Sequence, residues 1–185
     1  MNKLCNVENS CLIIVDIQAK LTAAMPDKVI SRLRKNTEIL IDAANQLNVP
    51  IITTAQYPKG LGPIEEFISN RVSDSAKNFD KTCFSSLGAD QFTEHLNQIN
   101  KKQIILLGIE AHICVLQSAI ELLDEGYDVF VVTDAIASRK LTSYDTALIR
   151  LNQAGCSLLN TESVLFEWLR DASHPEFKTL SKLIL

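Results

Sequence analysis

Three residues of this chain have types and settings that could carry chemistry: Cys114, Asp16 and Lys81. Cys114 lies just after an apolar run, residues 103–107, and a glycine, Gly108. Around and beyond it Ile113, Leu116, Ile120 and Leu123 recur at helical spacing, with Val115, Ala119 and Leu122 beside them. A thiol at a helix N-terminus meets unpaired N–H groups and the positive end of the helix dipole, and both favour thiolate. The plain alternative is a small buried hydrophobe, the ordinary fate of a free cysteine. Asp16 follows the continuous apolar run 11–15. An aspartate there is costly unless it is paired, bonds loop backbone or faces a cleft. Lys81 opens the segment Lys81-Thr82-Cys83-Phe84-Ser85-Ser86. A lone loop lysine is usually solvated, but Phe84 beside it suggests a segment that folds inward. Cys83 is a second thiol without a helix start. Taken together, the three supply a nucleophile, a group to accept its proton, and a positive charge that favours both ionised forms.

The surrounding elements decide whether such residues can meet. Residues 11–15, 50–55, 103–107, 127–133 and 156–159 read as strands, the first of them apolar enough to be covered on both faces. Residues 27–47, about 89–99, the stretch after 114, 141–154 and 161–169 read as helices. The first of these turns Val29, Ile30, Leu33, Ile39, Leu40 and Ala43 inward. Residues 69–80 lack periodicity and read as irregular or a short helix. The tail from Ser173, with Leu180, Leu183, Ile184 and Leu185, suits docking on the body or on a second subunit. Strands alternating with helices imply an α/β fold: an open, mostly parallel sheet with helices on both faces, a three-layer α/β/α arrangement of Rossmann-like type. In such sheets ligands bind at the carboxyl edge. Asp16 lies there. So does the loop Gln56-Tyr57-Pro58-Lys59-Gly60-Leu61-Gly62-Pro63, where Gln56 and Tyr57 are candidate substrate contacts, though a simple turn serves as well.

Composition narrows the field. A length of 185 residues suits one domain spanning 1–185, and 46% hydrophobic with 22% charged residues is ordinary for a soluble globular protein. A formal net charge of −4 argues against nucleic acid or an anionic membrane as the main partner. Neither a secretory leader pattern nor an apolar run long enough for a bilayer is visible. Five scattered cysteines without a C-x-x-C pair fit a reducing cytoplasm and argue against a disulfide framework or a cysteine-rich zinc site. Neither the P-loop nor the dinucleotide fingerprint occurs.

In four blocks, in order, the sequence resembles the isochorismatase-like cysteine hydrolase superfamily. The blocks are Ile14-Val15-Asp16-Ile17-Gln18, Lys81-Thr82-Cys83-Phe84-Ser85, Gly108-Ile109-Glu110-Ala111-His112-Ile113-Cys114-Val115 and, more weakly, Val132-Thr133-Asp134-Ala135. The third block and the loop 56–63 look most like the isochorismatase domain-containing branch. The resemblance implies the isochorismatase-like hydrolase fold, an Asp16–Lys81–Cys114 triad, and a cis peptide between Ile109 and Glu110. It further implies that the amides of Glu110 and Cys114 form an oxyanion hole. Gln18, Gln56, Tyr57, Phe84 and His112 are the candidate substrate-binding residues. Subunits of the superfamily usually assemble, so a dimer or larger homo-oligomer is expected.

Departures from the superfamily pattern matter as well. Nicotinamidases of this kind carry an Asp-x-His metal motif after the second strand, where this chain reads Ala55-Gln56-Tyr57. No metal site and no cofactor are therefore expected. Isochorismatases proper act on a vinyl ether and need no cysteine, so Cys114 favours acyl transfer from an amide-like small molecule. The expectation is a metal-independent cysteine hydrolase cleaving a small carbonyl substrate at a C–N bond through a Cys114 thioacyl intermediate. The alternative is a catalytically silent scaffold that retains the fold.

Overall fold

The computed structural model describes residues 4–184. Its centre is a six-stranded sheet in the order β3-β2-β1-β4-β5-β6. The strands are β1 (Ser10–Val15), β2 (Ile51–Gln56), β3 (Lys77–Lys81), β4 (Gln103–Ile109), β5 (Asp128–Ala137) and β6 (Ser157–Leu159). Every neighbouring pair is parallel. β1, β2 and β4 are buried along their whole length, which is why β1 and β4 are near-continuous apolar runs, while β2 carries Thr53, Thr54 and Gln56 among its buried positions.

The helices are α1 (Ala19–Thr22), α2 (Asp27–Gln46), α3 (Pro58–Leu61), α4 (Glu66–Ser69), α5 (Phe92–Ile99), α6 (Leu116–Asp124), α7 (Leu141–Ala154), α8 (Thr161–Leu169) and α9 (Phe177–Leu180). Right-handed crossovers place the β1-to-β2 connection on one face of the sheet and those from β3 onward on the other. Accordingly α2 packs with α8 against β5, while α6 and α7 pack together beneath β5 and β6. The buried stripe of α2 is Leu33, Thr37, Ile39, Leu40, Ile41, Ala43 and Ala44, so Val29 and Ile30 sit nearer the rim than the periodicity suggests. Trp168 of α8 is fully buried and donates its indole N–H to Ser10 Oγ at 3.0 Å, tying the last long helix to the first strand. The tail docks on the body. Leu180 is in the core and Leu183 and Ile184 pack against it; Leu185 lies outside the described residues.

Two strand assignments differ from the sequence reading. β3 falls in the segment read as irregular, because it is an edge strand with Lys77, Asn78 and Asp80 exposed and no apolar alternation. Its apolar anchor is Phe79, edge-on to Phe92 at 5.4 Å between ring centroids. β5 does not end at Thr133. Its register against β4 shifts between Leu106 and Gly108, and the strand resumes to pair Ile136 with Gly108 and Ala137 with Ile109. The bulge turns Asp134 outward, where its Oδ1 accepts both the backbone N–H and the hydroxyl of Thr161, at 2.9 and 2.8 Å. The weak fourth block thus has a structural job, fastening the start of α8.

Gly108 is fixed by close approach. Its φ is +130°, and a Cβ there would lie 2.1 Å from the carbonyl oxygen of Val15 on the neighbouring strand. Gly108→Ala should therefore push β4 off β1 at the edge that holds the site. The expected cost is about 3 kcal/mol or more, read as a fall of roughly 6–12 °C in the thermal midpoint.

Candidate active site

The order β3-β2-β1-β4-β5-β6 reverses direction between β1 and β4, the point beyond whose carboxyl ends open parallel sheets bind their ligands. Asp16 stands just past β1, Lys81 ends β3, and Cys114 follows β4. Asp16 has a left-handed backbone (φ 52°), which aspartate tolerates better than most residues. Its carboxylate is fully buried. Oδ1 accepts the Thr54 hydroxyl at 2.6 Å and Oδ2 accepts Lys81 Nζ at 2.6 Å.

Lys81 reaches this carboxylate across an intervening strand. Adjacent strands lie about 4.8 Å apart, so β3 and β1 are separated by roughly 10 Å. Gln56, register partner of Lys81 on β2, bridges the gap: its Oε1 accepts Lys81 Nζ at 2.7 Å and its Nε2 donates to the Thr82 carbonyl at 2.7 Å. The carbonyls of Cys83 and Phe84, 3.3 and 2.9 Å away, curl around the same ammonium. The 82–86 loop is held in turn by α6. Ser85 Oγ donates to Glu121 at 2.5 Å, and Ser118 Oγ accepts the Ser86 N–H at 2.8 Å. The helix that follows the cysteine thus also secures the loop around the lysine.

Cys114 is not at the first turn of an α-helix. It lies inside a single π-helical turn, Ala111–Val115, that precedes α6, in which the Glu110 carbonyl accepts the N–H groups of Ile113 and Val115 at 3.1 and 3.2 Å. Such turns recur at functional sites. The peptide bond between Ile109 and Glu110 is cis. The thiol is 6% exposed, and burial pushes it up to about 12. The Asp16 charge and a hydrogen bond to Asp16 add to the rise, while Lys81 and the Glu110 N–H oppose it. Desolvation and the carboxylate outweigh the groups that favour thiolate, so the sulfur is held toward its protonated form beside Asp16, the expected acceptor of its proton.

The substrate-contact candidates separate by geometry. Gln18 is buried with its amide engaged by backbone: Nε2 donates to the carbonyls of Gln56 and Gly62 at 3.0 and 2.5 Å, and Oε1 accepts the Gln56 N–H at 2.8 Å. Gln56 serves Lys81. Tyr57 (52% exposed) and Phe84 (53% exposed) are open at the carboxyl edge. Tyr57 borders a cleft of about 370 Å³ shared with Lys59, Asp80, Thr82 and Asp90. His112 is hydrogen-bonded through Nδ1 to Ser138 Oγ at 2.9 Å and borders a second cleft with Leu116, Thr142, Thr146 and Arg150. Cys83 is half-buried and donates its S–H to the Ser85 carbonyl at 3.3 Å. Among the described residues no group of three or more His, Cys, Asp or Glu is placed to hold a metal ion. Sequence reading missed Thr54, whose only signal is a polar pair in a buried strand, and Arg139, which pairs with Glu110 at 2.8 Å and had none.

A doubly wound, all-parallel six-stranded sheet with a buried Asp–Lys pair and a shielded thiol beyond its carboxyl edge defines a three-layer α/β protein of Rossmann-like type. Residues 10–163 match the family model described as the isochorismatase domain, and the chain belongs to the isochorismatase family. It is 39% identical over 183 residues to the secreted isochorismatase effector Isc1 of Phytophthora sojae, covering 95% of this chain and 84% of that one. Among solved structures it resembles MAR1 ribonuclease of Caenorhabditis elegans (TM-score 0.92, 36% identity, 98% and 92% covered). It also resembles the Escherichia coli ycaC product, an octameric hydrolase of unknown specificity (TM-score 0.91, 27% identity, 98% and 89% covered). YcaC of Pseudomonas aeruginosa, solved with hexane-2,5-diol and covalent acrylamide, is similar as well (TM-score 0.88, 26% identity, 100% and 96% covered).

Two outcomes test this electrostatic picture. Lys81→Met should cost about 3–5 kcal/mol in urea unfolding by stranding the Asp16 charge, and adding Asp16→Asn should recover much of it. The second concerns Cys11, Cys114 and Cys156, each pushed by burial from 9.0 to about 12. Unfolded chains release these protons near pH 9 and the fold keeps them. The contribution to stability is intact below pH 9 and is lost as pH rises toward 12, at up to about 1.4 kcal/mol per group per pH unit. Thermal midpoints measured against pH should decline through that window.

Proposed function

We propose that the protein is a metal-independent cysteine hydrolase that cleaves a small carbonyl substrate at a C–N bond, with Cys114 as nucleophile, Asp16 as proton shuttle and Lys81 as the charge that holds Asp16. The observation that carries this reading is the Lys81–Asp16 pair, 2.6 Å and wholly buried, set against a protonated thiol at the switch point of the sheet. Attack by Cys114 Sγ on the carbonyl carbon forms a C–S bond as the thiol proton passes to Asp16. The oxyanion is received by the amides of Glu110 and Cys114. Collapse breaks the C–N bond, and the nitrogen leaves with the proton from Asp16. Water then adds to the thioester while Asp16 takes its proton, and breaking the C–S bond releases the acid and restores the thiol. Because the thiol rests neutral, attack and proton transfer are coupled events.

The Pseudomonas aeruginosa relative was solved with covalent acrylamide, an electrophile to which thiols add, which is in keeping with a reactive cysteine in proteins of this fold. The two positions where a metal-binding variant of the site carries its Asp and His are Ala55 and Tyr57 here, and the residue between them, Gln56, has its amide oxygen taken by the Lys81 ammonium. The net charge of −4 favours a small-molecule substrate over nucleic acid, so the name of the Caenorhabditis elegans neighbour is not carried over. The whole chain, 1–185, is read as one domain. An octameric relative favours a homo-oligomer, and a chemistry that needs Cys114 reduced favours the cytoplasm. No helix among the described residues is long and apolar enough to cross a membrane.

Screening small amides, ureides and carboxamides against wild type, Cys114→Ala and Asp16→Asn tests the reading. Cys114→Ala should abolish turnover of any substrate found, and Asp16→Asn should reduce it by roughly 10²–10⁴-fold. Full turnover by Cys114→Ala would sink the thiol mechanism. A wild type inert to the whole panel and to acrylamide would favour the silent scaffold.

A further inference from the structure

The mechanism uses the main chain of Glu110 and leaves its side chain unexplained. That carboxylate is buried at the end of β4, where an ionised group needs partners. Arg139 supplies two. Its Nε donates to Oε1 at 2.8 Å, and its backbone N–H donates to Oε2 at 3.2 Å. His112 Nδ1 lies 3.7 Å from Oε2, with Ser138 Oγ on the same ring nitrogen at 2.9 Å. This contact exists because β5 continues past its bulge: pairing Ala137 with Ile109 sets Ser138 and Arg139 beside Glu110.

The backbone of the same residue serves the cysteine. Its carbonyl receives the N–H groups of Ile113 and Val115, the two neighbours of Cys114, and its own N–H favours the ionised sulfur. Glu110 therefore joins an exposed guanidinium on one side to the nucleophile's turn on the other. Of the two contacts the backbone N–H is independent of residue type, so the side chain's share is the single charge-assisted Nε–H to Oε1 bond, whose direction a lysine ammonium only partly reproduces.

We infer that Arg139 is a positioning residue: by clamping the Glu110 carboxylate it fixes the 110–115 turn, and with it the sulfur and the amides that face the substrate. It rests on the reading of Cys114 as nucleophile, and it predicts an effect of Arg139 that runs through Glu110 and not through bulk charge. Small displacements of a reacting group carry large rate penalties.

Two readouts on the full-length protein test it: hydrogen exchange of the peptide covering 108–118, and the rate of Cys114 carbamidomethylation by iodoacetamide at pH 8, both followed by mass spectrometry. Arg139→Ala should speed exchange in that peptide and, by opening the shielded thiol to the reagent, speed alkylation roughly tenfold or more, and Arg139→Lys should reverse part of both. In the Glu110→Gln background, where no charge is left unpaired, Arg139→Ala should change either readout less than about threefold. Unchanged exchange in Arg139→Ala, or an effect undiminished in the Glu110→Gln background, overturns the inference. Full turnover by Cys114→Ala of a substrate found in the amide screen would defeat the thiol reading instead, and exchange alone would then decide the clamp.

Discussion

The buried ion pair between Lys81 and Asp16 is the constraint around which the site is arranged. Removing two charges from water costs several kcal/mol each, and their attraction offsets that cost only when the remaining donors and acceptors are also satisfied. Here they are: Lys81 Nζ meets the Gln56 amide and the carbonyls of Cys83 and Phe84 besides Asp16, and the second oxygen of Asp16 takes the Thr54 hydroxyl. Each of those groups must then be held in turn. Gln18 fixes the backbone of Gln56, and Ser118 and Glu121 fix the 82–86 loop. A pair this dependent on its surroundings ties together β1, β2, β3 and α6, which share no long stretch of sequence. A pair used only for stability would be an inefficient choice, since apolar residues of like volume often serve as well.

The sheet explains why these residue types occupy these places. At the switch point β1 and β4 direct their chains to opposite sides, and Asp16 and Cys114 follow the two strands that flank it. Only a long side chain from β3 reaches back to that gap, and only with a polar partner on β2 to lead it across. Gly108 allows β4 to run against Val15 without a Cβ in the way, so the turn carrying the thiol begins close to Asp16.

Much of this was legible in the sequence. The apolar runs of β1 and β4 mark buried parallel strands, and Asp16 directly after such a run is conspicuous. The helical spacing beyond Cys114 locates α6, and α7 and α8 follow their patterns closely. What was hidden has physical reasons. β3 is an edge strand whose exposed Lys77, Asn78 and Asp80 leave no alternation to read. The extension of β5 depends on a bulge, which is a property of pairing and not of composition. Gln18 and Gln56 look like substrate contacts because they lie in the right loops. Only the hydrogen bonds reveal that both amides are engaged within the protein. The extent to which burial holds the thiol protonated was hidden for a related reason: a helix terminus can be inferred locally, whereas desolvation arises from the tertiary fold.

That last difference bears on what the site can do. An exposed thiolate is nucleophilic toward any electrophile and is readily oxidised. Cys114 is shielded and protonated, and its proton has one evident destination. On the proposed mechanism, reactivity is therefore conditional: the sulfur becomes a strong nucleophile only when a carbonyl is held close enough for C–S bond formation to accompany proton transfer to Asp16. The burden of selectivity then shifts from thiol acidity to placement of the carbonyl, which rests on the Glu110 turn beneath it and on exposed side chains such as Tyr57 and Phe84 around the edge. The former is anchored on several sides. The latter are free to vary without disturbing the ion pair, so substrate preference can change while the chemistry stays fixed.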